Sequence, residues 1–240
     1  TAQGYHMVTF GFILGEVVRR LTGRTIGQYL RTEIAEPLGI DVHIGLPTAE
    51  HRRCAEMVNK PHIRDVLAAG HAPRHPQSLT EHPMAGLAVA MGFVPDDELG
   101  SNALELWRSL EFPATNGHAT ALGMATFYNA LAQEKLLSRE HMERIRVSQG
   151  GFDNDVVLGP RVADHGWGLG YMLNQRGVAG PNLRTFGHGG SGGSFAFVDL
   201  EHRIGYAYVM NYFDATKCNA DPRSVTLSDA VYAALGVIRE

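Results

Sequence analysis

Ten residues, Phe186 to Phe195, hold five glycines around one histidine, His188, and two serines, Ser191 and Ser194. The segments on either side, Leu-Gly-Tyr-Met-Leu (169–173) and Ala-Phe-Val-Asp-Leu (196–200), have the make-up of strands. Glycine at this density loses much backbone entropy on folding, so it marks tight turns or a close approach to the main chain. Two uses fit: a turn lined by a ligand, and a flexible surface loop. Simple nucleotide fingerprints do not fit. There is neither a G-x-G-x-x-G opening a helix nor a G-x-x-x-x-G-K-[ST], and the stretch runs into a strand pattern.

Composition narrows the class. A chain of 240 residues, 44% hydrophobic and 19% charged, can bury a sizeable core as one large domain or two small ones. Net charge is −4 and the Arg and Lys residues are scattered, which excludes a nucleic-acid footprint. No apolar run reaches membrane-spanning length. Cys54 and Cys218 are too few for a disulfide framework or a Cys-rich metal site. The chain begins Thr-Ala-Gln-Gly-Tyr without an initiator Met, which fits a fragment or a processed chain.

Residues 8–36 read as two helices. Phe10, Ile13, Leu14, Val17, Val18 and Leu21 recur near the 3.6 period and are expected to face inward. Thr22-Gly23 closes the first helix, Thr25 caps the second, and Pro37 and Gly39 stop it. A short helix is expected from Glu50 to Val58. The His- and Pro-rich segment 70–85 is irregular, and Asn102–Ser109 is helical. Further helices follow Thr120 or His118 and follow Ser138. From residue 151 the pattern changes to strands: Val156–Leu158, Gly168–Leu173, Phe195–Val198 and Gly205–Met210. Turn chemistry lies at Asp199–Arg203. Ser224 is expected to cap a last helix, 226–237, with Leu227, Ala230, Val231 and Ala234 inward. Helices, then a mainly antiparallel sheet, then a closing helix make an α+β fold.

Few residues stand out for chemistry. Tyr5 precedes the first long helix, where main-chain N–H groups and the helix dipole can polarise a phenol; taken alone, an aromatic packed at a domain edge is the plainer reading. Asn211-Tyr212-Phe213 reads as a turn residue with core aromatics. Metal-ligand spacing is absent: His71 and His75 are separated by Pro73, and neither H-E-x-x-H nor an EF-hand loop occurs. No metal and no cofactor is expected.

Taken together, several segments resemble the serine beta-lactamase/penicillin-binding-protein-like family, in its class C-like esterase branch of family VIII-type carboxylesterases. They are Gly4-Tyr5-His6-Met7-Val8-Thr9-Phe10-Gly11, Gly15 to Thr25, Glu36-Pro37-Leu38-Gly39-Ile40, Asn116-Gly117-His118 and Gly187-His188-Gly189-Gly190-Ser191. The resemblance implies a beta-lactamase/transpeptidase-like α+β fold, an antiparallel sheet with flanking helices and a helical subdomain. Residues 1–150 would form its mainly helical region, and 151–240 the strands and C-terminal helix of the same domain. It implies that a serine forms an acyl-enzyme with a small-molecule acyl substrate. Tyr5 matches the family's proton-relaying tyrosine, with Met7 where an asparagine is usual. His188-Gly189-Gly190 matches its Lys-Thr-Gly. Tyr5 and His188 would then be catalytic, Gly189 and Gly190 would line the substrate, and the Ser191 N–H would donate to the oxyanion. Histidine in place of lysine offers a directional hydrogen bond instead of a fixed charge, which favours esters over beta-lactams.

The family's Ser-x-x-Lys is not present. Three residues before Lys60, Lys135 and Lys217 stand Met57, Ala132 and Asp214. The chain is therefore expected to lack the N-terminal part of the domain and to be the C-terminal portion of a serine hydrolase with no nucleophile of its own. It would self-associate or pair with the missing segment, because a sheet without its first strands exposes an edge. The alternative is a noncatalytic binding or regulatory module of the same fold.

Overall fold

The computed structural model describes residues 4–58, 101–150, 155, 166–190, 192–214 and 221–237. They fall into two compact units. One holds the described residues of 1–119 with Asp155; the other holds those of 120–150 and 166–237. The expected strand Val156–Leu158, the irregular segment 70–85 and Ser191 lie outside the described residues.

In the first unit, helix α1 (Thr9–Thr22) ends at Gly23, whose φ of 73° makes the left-handed turn that closes it. Thr25 caps α2 (Ile26–Tyr29) in a full capping box with Gln28. The chain continues as a π-helical stretch, Leu30–Ala35, and a short α3 (Glu36–Leu38) ending at left-handed Gly39. The inward face read into α1 is not its packing face. Ile13 is 55% and Leu21 81% exposed, and no residue of the helix is buried. The helix is instead closely approached at its glycines, because Gly11 abuts Pro113 and Ala114 and Gly15 abuts Ile26. Strand β1 (Val42–Ile44) pairs antiparallel with β2 (Gly117–Ala119). The expected helix from Glu50 is a 3₁₀ stretch, Thr48–Arg53, while Ser101–Ser109 is helical (α4) as read. Buried Asn116 ties the intervening loop, donating to Trp107 O (2.7 Å) and Leu110 O (2.5 Å) and accepting from Phe112 N (3.0 Å).

The second unit is a four-stranded antiparallel sheet in the order β3 (Met172–Leu173), β4 (Phe186–Gly189), β5 (Phe195–Asp199), β6 (Ile204–Tyr208). Alternation along the strands builds two cores. Phe186, Ala196 and Val198 pack with Tyr128 and Leu131 of α5 (Ala121–Ala132) and with Met142 and Ile145 of α6 (Arg139–Ile145). Phe195, Phe197 and Tyr206 pack with Tyr232 of α7 (Pro222–Ala234). Thr120 and Ser138 cap α5 and α6 through their side chains, as their positions predict. Only Met172–Leu173 of the expected 168–173 strand pairs in the sheet.

Gly205 sets the spacing between β6 and α5. A Cβ there would lie 2.7 Å from Asn129 Cα and collide still harder with Asn129 N and Ala125 O, all main chain that cannot swing aside. Gly205→Ala is therefore expected to cost about 1–3 kcal/mol, read as a lowered midpoint in thermal or urea unfolding.

The last helix differs most from its pattern. Asp221, not Ser224, is its N-cap, and Ser224, Ser228 and Tyr232 are its buried residues, while Leu227 is 52% exposed. The buried polar atoms are satisfied. Tyr206 OH donates to Ser224 O (2.8 Å), Ser228 Oγ to Val225 O (2.9 Å) and Tyr232 OH to Asp199 Oδ2 (2.8 Å). Small serines let the helix lie close on the aromatic face of the sheet, where the Tyr232 ring stacks on Phe197 at 6.5 Å.

Candidate active site

His188, Gly189 and Gly190 sit together at the end of β4, where His188 pairs with Ala196 and Gly189 with Phe195 across the antiparallel ladder. His188 shares its side of the strand with Phe186 and is half-buried. Its Nδ1 lies 2.6 Å from the Gly189 carbonyl oxygen. A carbonyl only accepts, so Nδ1 carries the proton and, in the neutral ring, Nε2 carries the lone pair. Trp167 flanks the ring at 5.7 Å between centroids. Burial pulls the imidazole pKa below its ordinary value, against the smaller opposing pull of the Gly189 carbonyl. The ring is thus uncharged at neutral pH.

The main chain doubles back just beyond. Gly190 N donates to Ser194 O (2.7 Å), Gly193 N to Gly190 O (3.3 Å) and Asp214 N to Gly192 O (3.2 Å). Gly192 and Gly193 have φ of 89° and 113°, outside the range of ordinary residues, and this explains the glycine density read from the sequence. The stretch is a hydrogen-bonded turn, not a slack loop. Ser191, the expected oxyanion donor, is outside the described residues.

Tyr5 belongs to the other compact unit. It is half-buried, its carbonyl accepts from Met7 N (3.1 Å), and α1 opens at Thr9, four residues after it. Trp167, Asp221 and Arg223, absent from the sequence reading, surround the His188 strand and its turn. No local motif marks them, because each is brought in by the tertiary fold. Among the described residues no group of three or more His, Cys, Asp or Glu side chains could hold a metal ion, and no helix is long and apolar enough to cross a membrane.

A family model described as beta-lactamase matches residues 1–228. The chain belongs to the beta-lactamase family. This match corrects the expectation of a beta-lactamase-like domain lacking its N-terminal part, because it spans nearly the whole chain and not a C-terminal remnant. The reading of a C-terminal portion with no nucleophile finds no support in a match of that span. Within the beta-lactamase family, the chain is 30% identical over 221 residues to the esterase/beta-lactamase LipL of Mycobacterium tuberculosis, covering 87% of this chain and 48% of that protein. The crystal structure of a penicillin-binding protein homologue from Caulobacter crescentus superposes with a TM-score of 0.74 at 35% identity, covering 98% of this chain and 59% of its own. That of a family VIII carboxylesterase superposes equally, with a TM-score of 0.74 at 35% identity, over 97% of this chain and 58% of its own. The chain thus spans about half the length of the curated relative it matches.

Proposed function

We propose that this protein hydrolyses carboxylic esters or related small acyl compounds through an acyl-enzyme, with the strand end His188-Gly189-Gly190 as the wall along which the acyl group lies. In this reading Tyr5 and His188 are the catalytic side chains and the Ser191 N–H is the oxyanion donor. Such a donor stabilises the charge that develops on the carbonyl oxygen during acyl transfer. The observation that carries the proposal is the His188 Nδ1 proton committed to Gly189 O, in a ring whose burial lowers its pKa. With its one proton committed, the neutral ring offers Nε2 as an acceptor and no fixed charge, so nothing at this place draws a substrate carboxylate; a lysine here would. Likeness to a family VIII carboxylesterase and to an esterase/beta-lactamase supports the same substrate class.

Kinetics on short-chain p-nitrophenyl esters and a chromogenic beta-lactam test this directly. The ester is expected to have the higher kcat/KM, and His188→Lys is expected to shrink that preference by about tenfold, since specificity is a difference of transition-state affinities. Because burial holds the His188 pKa below the ordinary imidazole value, the acid limb of the ester activity should lie below the ordinary imidazole range, where the ring gains its proton. A clear wild-type preference for the lactam would overturn the reading.

A second reading, a noncatalytic binding module of this fold, is favoured by one observation, that no Ser-x-x-Lys occurs in the 240 residues. A fluorophosphonate probe separates the two. Covalent labelling together with ester turnover supports hydrolysis, and neither supports the binding module.

A further inference from the structure

The turn that follows His188 is backed by an ion pair from a distant part of the chain. Asp221, 2% exposed, caps α7 and is paired with Arg223, whose Nε lies 2.9 Å from Asp221 Oδ2. The pair presses against the glycines. A Cβ on Gly193 would fall inside the Asp221 carboxylate and 3.0 Å from Arg223 Nη2. Arg223 Nη2 also reaches Gly192 O and its Nη1 reaches Tyr212 O, each at 3.4 Å. The guanidinium lies over the rings of Tyr208, at the end of β6, and Tyr212, at 5.9 and 5.8 Å. Phe213, itself buried, blocks Gly192, where an added Cβ would lie 2.5 Å from its ring.

The geometry points to Arg223, held by Asp221, as a positioning residue that fixes the Gly192–Gly193 main chain and, through it, the end of the His188 strand. The link is a short chain of contacts. Arg223 meets Gly192 O and borders Gly193, Gly193 N donates to Gly190 O, and Gly190 follows the His188–Gly189 pair of β4. A planar guanidinium suits this task, since its fork can serve the carboxylate and two main-chain carbonyls together while its face packs on aromatic rings. The assignment rests on the reading of the His188 strand as the wall of an acyl-transfer site. There, a displacement of the wall would lower turnover more than binding.

The test combines amide hydrogen exchange over residues 186–195 with ester kinetics on the wild type, Arg223→Ala and the double variant Asp221→Asn/Arg223→Ala. The double variant also removes the buried charge that Arg223→Ala alone would deprive of this ion pair, and asparagine still caps α7. Both variants are expected to exchange about tenfold faster at the Gly190 and Gly193 amides while β5 keeps its protection. In both, kcat should fall by about 10- to 100-fold with KM within about threefold, the pattern for misplaced transition-state contacts. Wild-type exchange at those amides in the double variant, or a loss confined to KM, would overturn the assignment. If the wild type turns over no ester, the functional reading fails, and the exchange result alone then decides whether the pair positions the strand.

Discussion

Asp199→Ala is expected to destabilise the sheet unit by about 3–5 kcal/mol, the range for stripping one member from a buried charged hydrogen-bond network. Asp199 is fully buried at the end of β5, where the hairpin to β6 begins. Its Oδ1 accepts from Asn182 Nδ2 (2.8 Å), Glu201 N (2.9 Å) and His202 N (3.0 Å). Its Oδ2 accepts from His202 Nδ1 and Tyr232 OH, both at 2.8 Å. Alanine would strand two main-chain donors and the buried Tyr232 hydroxyl at once, and it would unpin α7 from the hairpin. For a unit of this size the thermal midpoint should fall by about 10–20 °C, measured by calorimetry or circular dichroism. Tyr232→Phe, which removes one donor and leaves the carboxylate otherwise satisfied, should cost about 1 kcal/mol.

The same carboxylate sets an acid limit. Burial alone would raise the Asp199 pKa, but the hydrogen bonds from His202, Tyr232 and Asn182 outweigh it and leave the pKa below the ordinary value of 3.8. The folded state therefore holds the carboxylate ionised where the unfolded chain would already bind a proton. Its contribution is complete above about pH 4 and is lost as pH falls through the ordinary value toward the lowered one. In Asp199→Ala this part of the acid slope should vanish, so the stability gap between variant and wild type narrows as pH falls. A gap that stays constant down to pH 2 would show that the network does not hold the carboxylate ionised.

Gly193→Ala should have the largest effect on activity, a loss of about 100-fold in kcat/KM for an ester substrate, as expected when a site is shifted by about an ångström. Two penalties meet at this position. Its φ of 113° is closed to side-chain-bearing residues, and the new methyl would enter the Asp221 carboxylate. Gly170→Ala isolates the first of these, since Gly170 has a φ of 79° with nothing within 4 Å of an added Cβ. It should lower stability by about 1 kcal/mol and leave kcat/KM near wild type. Equal losses of activity in both variants would assign the effect to backbone strain and not to the turn's contact with Asp221.

Local signals in the sequence were read well where they act over a few residues. Thr25, Thr120 and Ser138 cap helices because a side-chain oxygen three residues ahead of a main-chain N–H needs no tertiary context. Gly23 and Gly39 end helices because glycine takes a left-handed φ without steric cost. The β5–β6 hairpin followed from turn chemistry at Asp199–Arg203, and Arg203 does take a positive φ of 57°. Periodicity misled where it was asked which face is buried. In α1 the apolar stripe is exposed while the glycines make the close contacts, and in α7 two serines and a tyrosine are buried beneath an exposed Leu227. A hydropathy pattern scores side chains by their own chemistry, but a hydroxyl that finds a carbonyl inside the fold is as buried as a leucine.

The sequence by itself determined the family, the α+β class, several helix ends and the glycine-framed His188, because these depend on residue types within a few positions of one another. Only the tertiary structure decided that the His188 proton is committed to Gly189 O, that burial lowers the ring's pKa, that Trp167 flanks it, and that Asp221 and Arg223 stand behind Gly192 and Gly193. The reason is distance along the chain. Arg223 lies thirty-one residues from Gly192, and Tyr232 lies thirty-three from Asp199. Such pairs are chosen by how the sheet and α7 pack, and no spacing in the sequence encodes that packing.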